Sequence, residues 1–202
     1  MKKDINIIGI SCYYHDSAAA LIQNGTVLSA IQEERLSRIK HDSSFPINSI
    51  KEILRINKLN LSDIDHIVFY EKPFVKFERL MDTYVSFAPR GIRSYLKSMP
   101  LWISEKLFQK KNMINQLNSI EKIKNIEKKI KFSEHHLSHA ASAFYPSPFK
   151  EALILTIDGV GEKVTTSVAI GRGSDIKITK EIHFPHSLGL LYSSFTHFLG
   201  FK

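Results

Sequence analysis

The sequence predicts an α/β fold made of two similar halves, and three observations point to it. A pattern of strand, polar turn, strand, tight turn and strand occurs twice, about 145 residues apart. Residues with helical periodicity follow each copy. The first turn of each copy also carries polar or flexible residues suited to a ligand, Tyr13-Tyr14-His15-Asp16 in one and Asp158-Gly159-Val160-Gly161 in the other.

In the first copy, residues 5–11 (I-N-I-I-G-I-S), 17–23 and 26–32 are the three strands. Asn24-Gly25 is a hairpin signal, because both central positions of the tight turn that joins twisted strands take positive φ. Residues 33–41 read as a charged loop. Pro46 precedes a helix over 47–56 that places Ile50, Ile53 and Leu54 on one face. A buried strand is expected at 66–70. The stretch from 74 to about 125 is the least specific and reads as a helical insertion, with a helix around 92–108 interrupted by Pro100. A short strand at 129–132 leads to a helix of small residues that begins near His135 and ends before Pro146. In the second copy the strands are 152–157, 164–170 and 176–182, with Gly171-Arg172-Gly173-Ser174 as the tight turn. Ser187 then opens a helix over 188–199. A meander followed by αβ units, present twice, is the plan of the two-lobed actin, sugar-kinase and Hsp70 type. On that plan residues 1–150 are the first lobe and 151–202 the start of a second, incomplete one. Two unrelated meanders with ordinary turns fit the same pattern.

Composition narrows the class. The 202 residues suffice for one domain with a real core or two small lobes. One cysteine, Cys12, excludes an internal disulfide and fits a reducing cytoplasm. No apolar run approaches a membrane span, and the apolar start is too short for a signal peptide. The net charge of +8 is concentrated between Lys97 and Lys131, where lysines alternate with Glu105, Glu121 and Glu127. Without an aromatic or arginine-rich motif, this reads as a solvated helical face, and no nucleic-acid partner is expected.

Chemistry concentrates on two histidines and an aspartate. His135 and His139 stand four apart, which on a helix puts both rings on one face, one turn apart, as two imidazoles chelating one metal require. No glutamate follows the first histidine, so the metalloprotease pattern fails. A third ligand is needed. Asp158 is the natural candidate, at the carboxyl end of a buried strand, 152–157, and directly before Gly159. Two imidazoles and a carboxylate suit Fe(II), Zn(II) or Mn(II), with positions left for substrate oxygen. A coincidental histidine pair is the plainer reading of the same spacing.

The segments H-H-L-S-H-A-A-S-A-F-Y-P-S-P-F and L-T-I-D-G-V-G-E resemble the large O-carbamoyltransferases of nodulation-factor and antibiotic biosynthesis. So do G-I-S-C-Y-Y-H-D-S-A-A-A-L, E-E-R-L-S-R-I-K-H-D and H-S-L-G-L-L-Y-S-S-F-T-H-F-L-G-F-K. These ordered blocks span residues 9–202, and the domain they define is similar to the catalytic subunit of tRNA threonylcarbamoyl transfer. The resemblance implies the two-lobed fold and a metal held by His135, His139 and Asp158, with Fe(II) the first expectation. It also implies a fourth, aspartate ligand in a later segment absent from this chain. His15 matches a histidine at the carbamoyl-transfer site, where it would take a proton from the acceptor hydroxyl; a turn histidine that only caps the hairpin is the alternative. Gly159 and Gly161 would let backbone N–H groups approach the phosphate of a carbamoyl-adenylate, and Lys40, with Arg38, is a candidate phosphate partner. The implied substrates are carbamoyl phosphate, ATP and a hydroxylated sugar or natural product. Members of the family continue into a second domain that makes the adenylate, so this chain reads as an N-terminal portion. On its own it is expected to be inactive and to hold metal weakly. An ATP-dependent sugar kinase or ATPase of the same fold, and an inactive truncated nucleotide-binding fragment, are the alternatives.

Overall fold

The apolar runs of the first half become strands β1 (Asn6–Ser11), β2 (Ala18–Gln23) and β3 (Thr26–Gln32) in the computed structural model, which describes residues 4–102 and 108–201. Asn24 and Gly25 adopt φ of 50° and 88°, the two positive values that the hairpin between β2 and β3 requires. Strand β4 (His66–Phe69) lies parallel to β1, and β5 (Ile130–Phe132) parallel to β4, so the mixed sheet runs β3-β2-β1-β4-β5. Alternation sets its core face: Ile8 and Ile10 of β1, Ala19 and Leu21 of β2, and Ile67 and Phe69 of β4 are all buried. Against them pack Ile50, Ile53 and Leu54 of helix α2 (Ile47–Asn57), and Met113 and Leu117 of α5 (Gln109–Ile120).

Residues 33–41 are not wholly loop. Glu34–Ser37 form one turn of helix, α1, closed by Arg38 in the left-handed conformation. Glu33 just before it is 1 % exposed, and its carboxylate does the work of a cap for α2. It accepts the Asn48 and Ser49 backbone N–H groups at 3.1 and 2.8 Å, the Asn48 side-chain amide at 2.7 Å and the Ser49 hydroxyl at 2.7 Å. Helix α2 has no side-chain cap at its own N-cap position, Pro46, so the orphan donors of its first turn depend on this distant carboxylate.

Contacts divide the chain into two compact units, Met1–Tyr70 with Phe108–Phe132, and Glu71–Leu107 with Ser133–Lys202. The second contains helices α3 (Pro73–Phe87) and α4 (Ile92–Trp102), α6 (His135–Phe144), the antiparallel sheet β6 (Glu151–Ile157), β7 (Val164–Arg172) and β8 (Asp175–His183), and helix α7 (Leu188–Phe198). Helix α6, counted with residues 1–150 in the sequence reading, packs its Ala140 and Phe144 on Ile154 and Ala169 of this second sheet. Three further expectations are corrected. Pro100 sits inside α4 instead of interrupting it; residues 103–107 of that expected helix lie outside the described ones. Strand β7 continues through Gly171 to Arg172, which pairs with Asp175, leaving a two-residue turn. The expected buried run 152–157 is buried on one side only. Leu153, Leu155 and Ile157 stand 51–73 % exposed because successive side chains of β6 alternate and α6 packs on the opposite face, with Ile154. Among the described residues no helix is long and apolar enough to cross a membrane.

Removing the Glu33 side chain leaves the N–H group of Asn48 and the buried one of Ser49 without this acceptor. Glu33→Ala is therefore expected to lower the unfolding free energy by about 2–4 kcal/mol, and Glu33→Gln by less. Urea denaturation measures this, and an unchanged midpoint for the alanine variant would contradict the capping role.

Candidate metal centre

Helix α6 begins with His135, and one turn later His139 stands on the same face. Their Nε2 atoms are 3.0 Å apart, with the rings nearly perpendicular at 86°. Asp158 follows the last residue of β6, and its Oδ2 lies 2.8 Å from His135 Nε2. One donor atom from each of the three residues falls within 4.8 Å of the others. The structure thus brings together three side chains from two segments of the second unit. Of the other expected site residues, Gly159 and Gly161 lie in the turn directly after Asp158, whereas His15 and Lys40 belong to the first unit.

The electrostatics of the trio suit cation binding. The hydrogen bond from His135 holds the Asp158 carboxyl down at about 2, against the opposing effect of burial, and the Gly159 N–H adds to this by donating to Oδ1 at 2.6 Å. Burial first, and the neighbouring His135 second, keep the His139 imidazole below its usual range. A charged carboxylate and a neutral imidazole are the forms a metal ligand needs.

The turn from Asp158 to Glu162 is shaped by backbone constraints. Gly161 has φ of 59°, and a Cβ there would sit 2.3 Å from the Val164 carbonyl oxygen, so only glycine fits. Gly189, in the first turn of α7, has the same role from the other side: a Cβ would meet the Asp158 carbonyl oxygen at 2.4 Å. Ser187, the N-cap of α7, accepts the Leu190 N–H at 3.0 Å and donates its own hydroxyl to the Gly159 carbonyl at 2.6 Å. Buried His136, next to His135, has Nδ1 2.9 Å from Ser167 Oγ, which ties α6 to β7.

In the first unit, the turn after β1 holds His15 with its Nδ1 2.8 Å from Asp16 Oδ2, and His41 approaches the other oxygen, Oδ1, at 2.9 Å. His41 also donates its backbone N–H to Glu34 at 3.0 Å. These bonds, His41 first, lower the Asp16 carboxyl, and Asp16 in turn raises the His41 imidazole. Tyr13, Asp16 and His41 all have positive φ, a conformation that costs a non-glycine residue energy and clusters at functional sites. Lys40 is exposed in the same loop.

Residues 6–202 match the family described as Carbamoyltransferase N-terminus. The chain belongs to that family. Among relatives, this carbamoyltransferase N-terminal domain is 53% identical over 198 residues to "Uncharacterized protein sll1178" of Synechocystis, covering 98% of this chain and 32% of the relative. With "Nodulation protein NolNO" of Sinorhizobium fredii it shares 37% identity over 190 residues, covering 94% of this chain and 26% of that protein. The domain therefore spans about a third or less of the length of these relatives. Superposition on YeaZ from Pseudomonas aeruginosa covers 90% of this chain and 68% of that one, with 11% identity and a TM-score of 0.40, a likeness too low to carry an argument.

The donor set of this domain fits a divalent cation. Ligands about 2.1 Å from one ion stand roughly 3.0–3.4 Å from their neighbours in octahedral or tetrahedral coordination. The 2.8 and 3.0 Å separations at His135 Nε2 are close to such an edge. From the sequence, Ser187 is expected only to open a helix and Asp16 only to belong to the first turn, while Glu162, Arg79, Gly189 and His41 have no assigned role. Glu162 closes the D-G-V-G-E segment, Asp16 and His41 stand in the H-D and K-H-D segments, and Ser187 and Gly189 in H-S-L-G, whereas Arg79 carries no signal.

Crowding at Gly189 yields a direct test of the turn. Gly189→Ala should cost about 1–3 kcal/mol of stability by forcing the Asp158 backbone to move. Gly9→Ala, where nothing lies within 4 Å of the new Cβ, should cost no more than about 0.5 kcal/mol. Equal losses in chemical denaturation would refute the steric account.

Proposed function

We propose that this domain is the metal-holding, acyl-transfer part of an O-carbamoyltransferase. The full enzyme would move a carbamoyl group from carbamoyl phosphate, through a carbamoyl-adenylate made with ATP, to a hydroxyl of a sugar or natural product. The convergence of His135, His139 and Asp158 in a chain of the carbamoyltransferase N-terminus family carries the reading. The two-lobed actin type is the architecture that goes with it, residues 1–150 forming the first lobe and 151–202 opening the second. Supporting that architecture is the order of the first sheet, a meander followed by two parallel strands.

On this reading His135, His139 and Asp158 hold a divalent ion, Fe(II) before Zn(II) or Mn(II). When bound, the ion supplies Lewis-acid polarisation of an oxygen on the carbamoyl donor. The chain's own groups do the rest. His15, exposed and braced by Asp16, accepts the proton of the acceptor hydroxyl as its oxygen bonds to the carbamoyl carbon and the bond to the adenylate phosphate oxygen breaks. Backbone N–H groups of the Gly159–Gly161 turn, and Lys40, are the candidate contacts to phosphate. A sugar kinase on the same fold would have no use for two imidazoles beside one carboxylate.

Two measurements test the proposal. Fe(II) or Co(II) titrated into the 202-residue chain should bind, and His139→Ala or Asp158→Asn should weaken binding at least about 100-fold. In an enzyme that contains this domain, the same substitutions should abolish transfer of label from carbamoyl phosphate to a hydroxylated acceptor, and His15→Ala should lower its rate by about 100-fold or more. Full transfer by the Asp158→Asn enzyme, or phosphoryl instead of carbamoyl transfer by the wild type, would sink it.

A further inference from the structure

The carboxylate of Glu162 sits where the N-termini of two helices in the second unit meet. Its Oε1 accepts the N–H of Lys72, which precedes α3, and its Oε2 accepts the N–H of His135, the first residue of α6, at 3.2 Å. Neither helix receives a hydrogen bond from the side chain of its own N-cap residue, Lys72 or Glu134; those two side chains pair with each other at 2.7 Å instead. Both oxygens of Glu162 are thus taken by backbone donors at the positive ends of helix dipoles. The residue is only 6 % exposed, although it borders a cavity of about 200 Å³ that His136, Glu181 and His183 also line.

What makes this contact more than a cap is where its two ends lie in the chain. Glu162 closes the turn that carries Asp158, and its acceptor oxygen lands on the residue that starts the histidine helix. One side chain therefore ties together the two segments that supply all three donors. Arg79, 9 % exposed, grips the same turn from α3: its Nη1 donates to the Gly161 carbonyl at 3.1 Å and to that of Val160 at 3.4 Å, while the guanidinium lies 5.6 Å from the centre of the Phe184 ring.

We propose that Glu162 is a positioning residue for the metal centre, setting the Asp158 turn and the start of α6 in the register at which His135, His139 and Asp158 address one cation, with Arg79 locking the turn. The inference rests on the metal reading above. A glutamine at 162 keeps one carbonyl acceptor but turns an amide donor toward the other N–H, which opens one of the two ties.

Co(II) titration, followed by its visible absorption bands, reads both affinity and ligand geometry. Glu162→Gln is expected to bind Co(II) about 10–100-fold more weakly than the unmodified chain and with altered bands, the range seen when groups that orient metal ligands are removed. Glu162→Ala should lose at least as much. Glu33→Gln removes half of a similar buried cap in the first unit, and it should lower stability while leaving Co(II) affinity and spectrum unchanged. Wild-type affinity and bands in Glu162→Gln would overturn the proposal, as would an equal loss in Glu33→Gln, since the effect would then track general stability. Should the unmodified chain take up no Co(II), the metal reading falls. Amide hydrogen exchange at Lys72 and His135 then decides the clamp alone: exchange at least tenfold faster in Glu162→Gln retains it, and unchanged exchange overturns it.

Discussion

Three helix N-termini in this protein end on glutamates buried elsewhere in the chain. Glu33 meets α2, and Glu162 meets α3 and α6. A helix leaves its first N–H groups unpaired, and burying them without an acceptor costs more than the burial gains. The usual remedy is a serine, threonine or aspartate at the N-cap, but these helices carry Pro46, Lys72 and Glu134 there, none of which caps its own helix. The acceptors come from tertiary structure instead. Each carboxylate offsets its own desolvation with hydrogen bonds at the positive ends of helix dipoles, four for Glu33 and two for Glu162. Burial still pushes the Glu162 carboxyl upward, and the Lys72 and His135 N–H groups hold it back.

A cap supplied from a distance does something that a local one cannot. It fixes where a helix starts relative to a remote strand or turn. For α6 that matters because its other ties, His136 to Ser167 and the packing of Ala140 and Phe144 on Ile154 and Ala169, run to the sheet and not to the turn that carries Asp158. The position of its first turn decides whether His135 and His139 face Asp158. Glycine at 161 and 189 lets the turn come as close as it does, and the Ser187 hydroxyl holds its carbonyl side.

Features set by short-range rules were legible in the sequence. The Asn24-Gly25 hairpin follows from positive φ at two adjacent positions, the α2 face from the spacing of Ile50, Ile53 and Leu54, and the histidine pair from one helical turn. Asp158 was reachable because an acid before a glycine at a strand end is itself a pattern. Contacts bridging long sequence separations were not legible. Arg79 reaches Gly161 across 82 residues and Glu162 reaches His135 across 27, and no periodicity encodes either distance. Nor does an apolar run say which of its faces is covered, so Leu153, Leu155 and Ile157 looked like core and proved to be surface.

The Asp16 carboxylate has a further chemical consequence in the first unit. Ionised, it can only accept, so the Nδ1 atoms of His15 and His41 that touch its two oxygens must both carry hydrogen. A neutral ring with hydrogen on Nδ1 has its lone pair on Nε2. One aspartate thus selects the tautomer of two imidazoles at once and leaves each with its basic nitrogen on the far edge of the ring, away from the carboxylate.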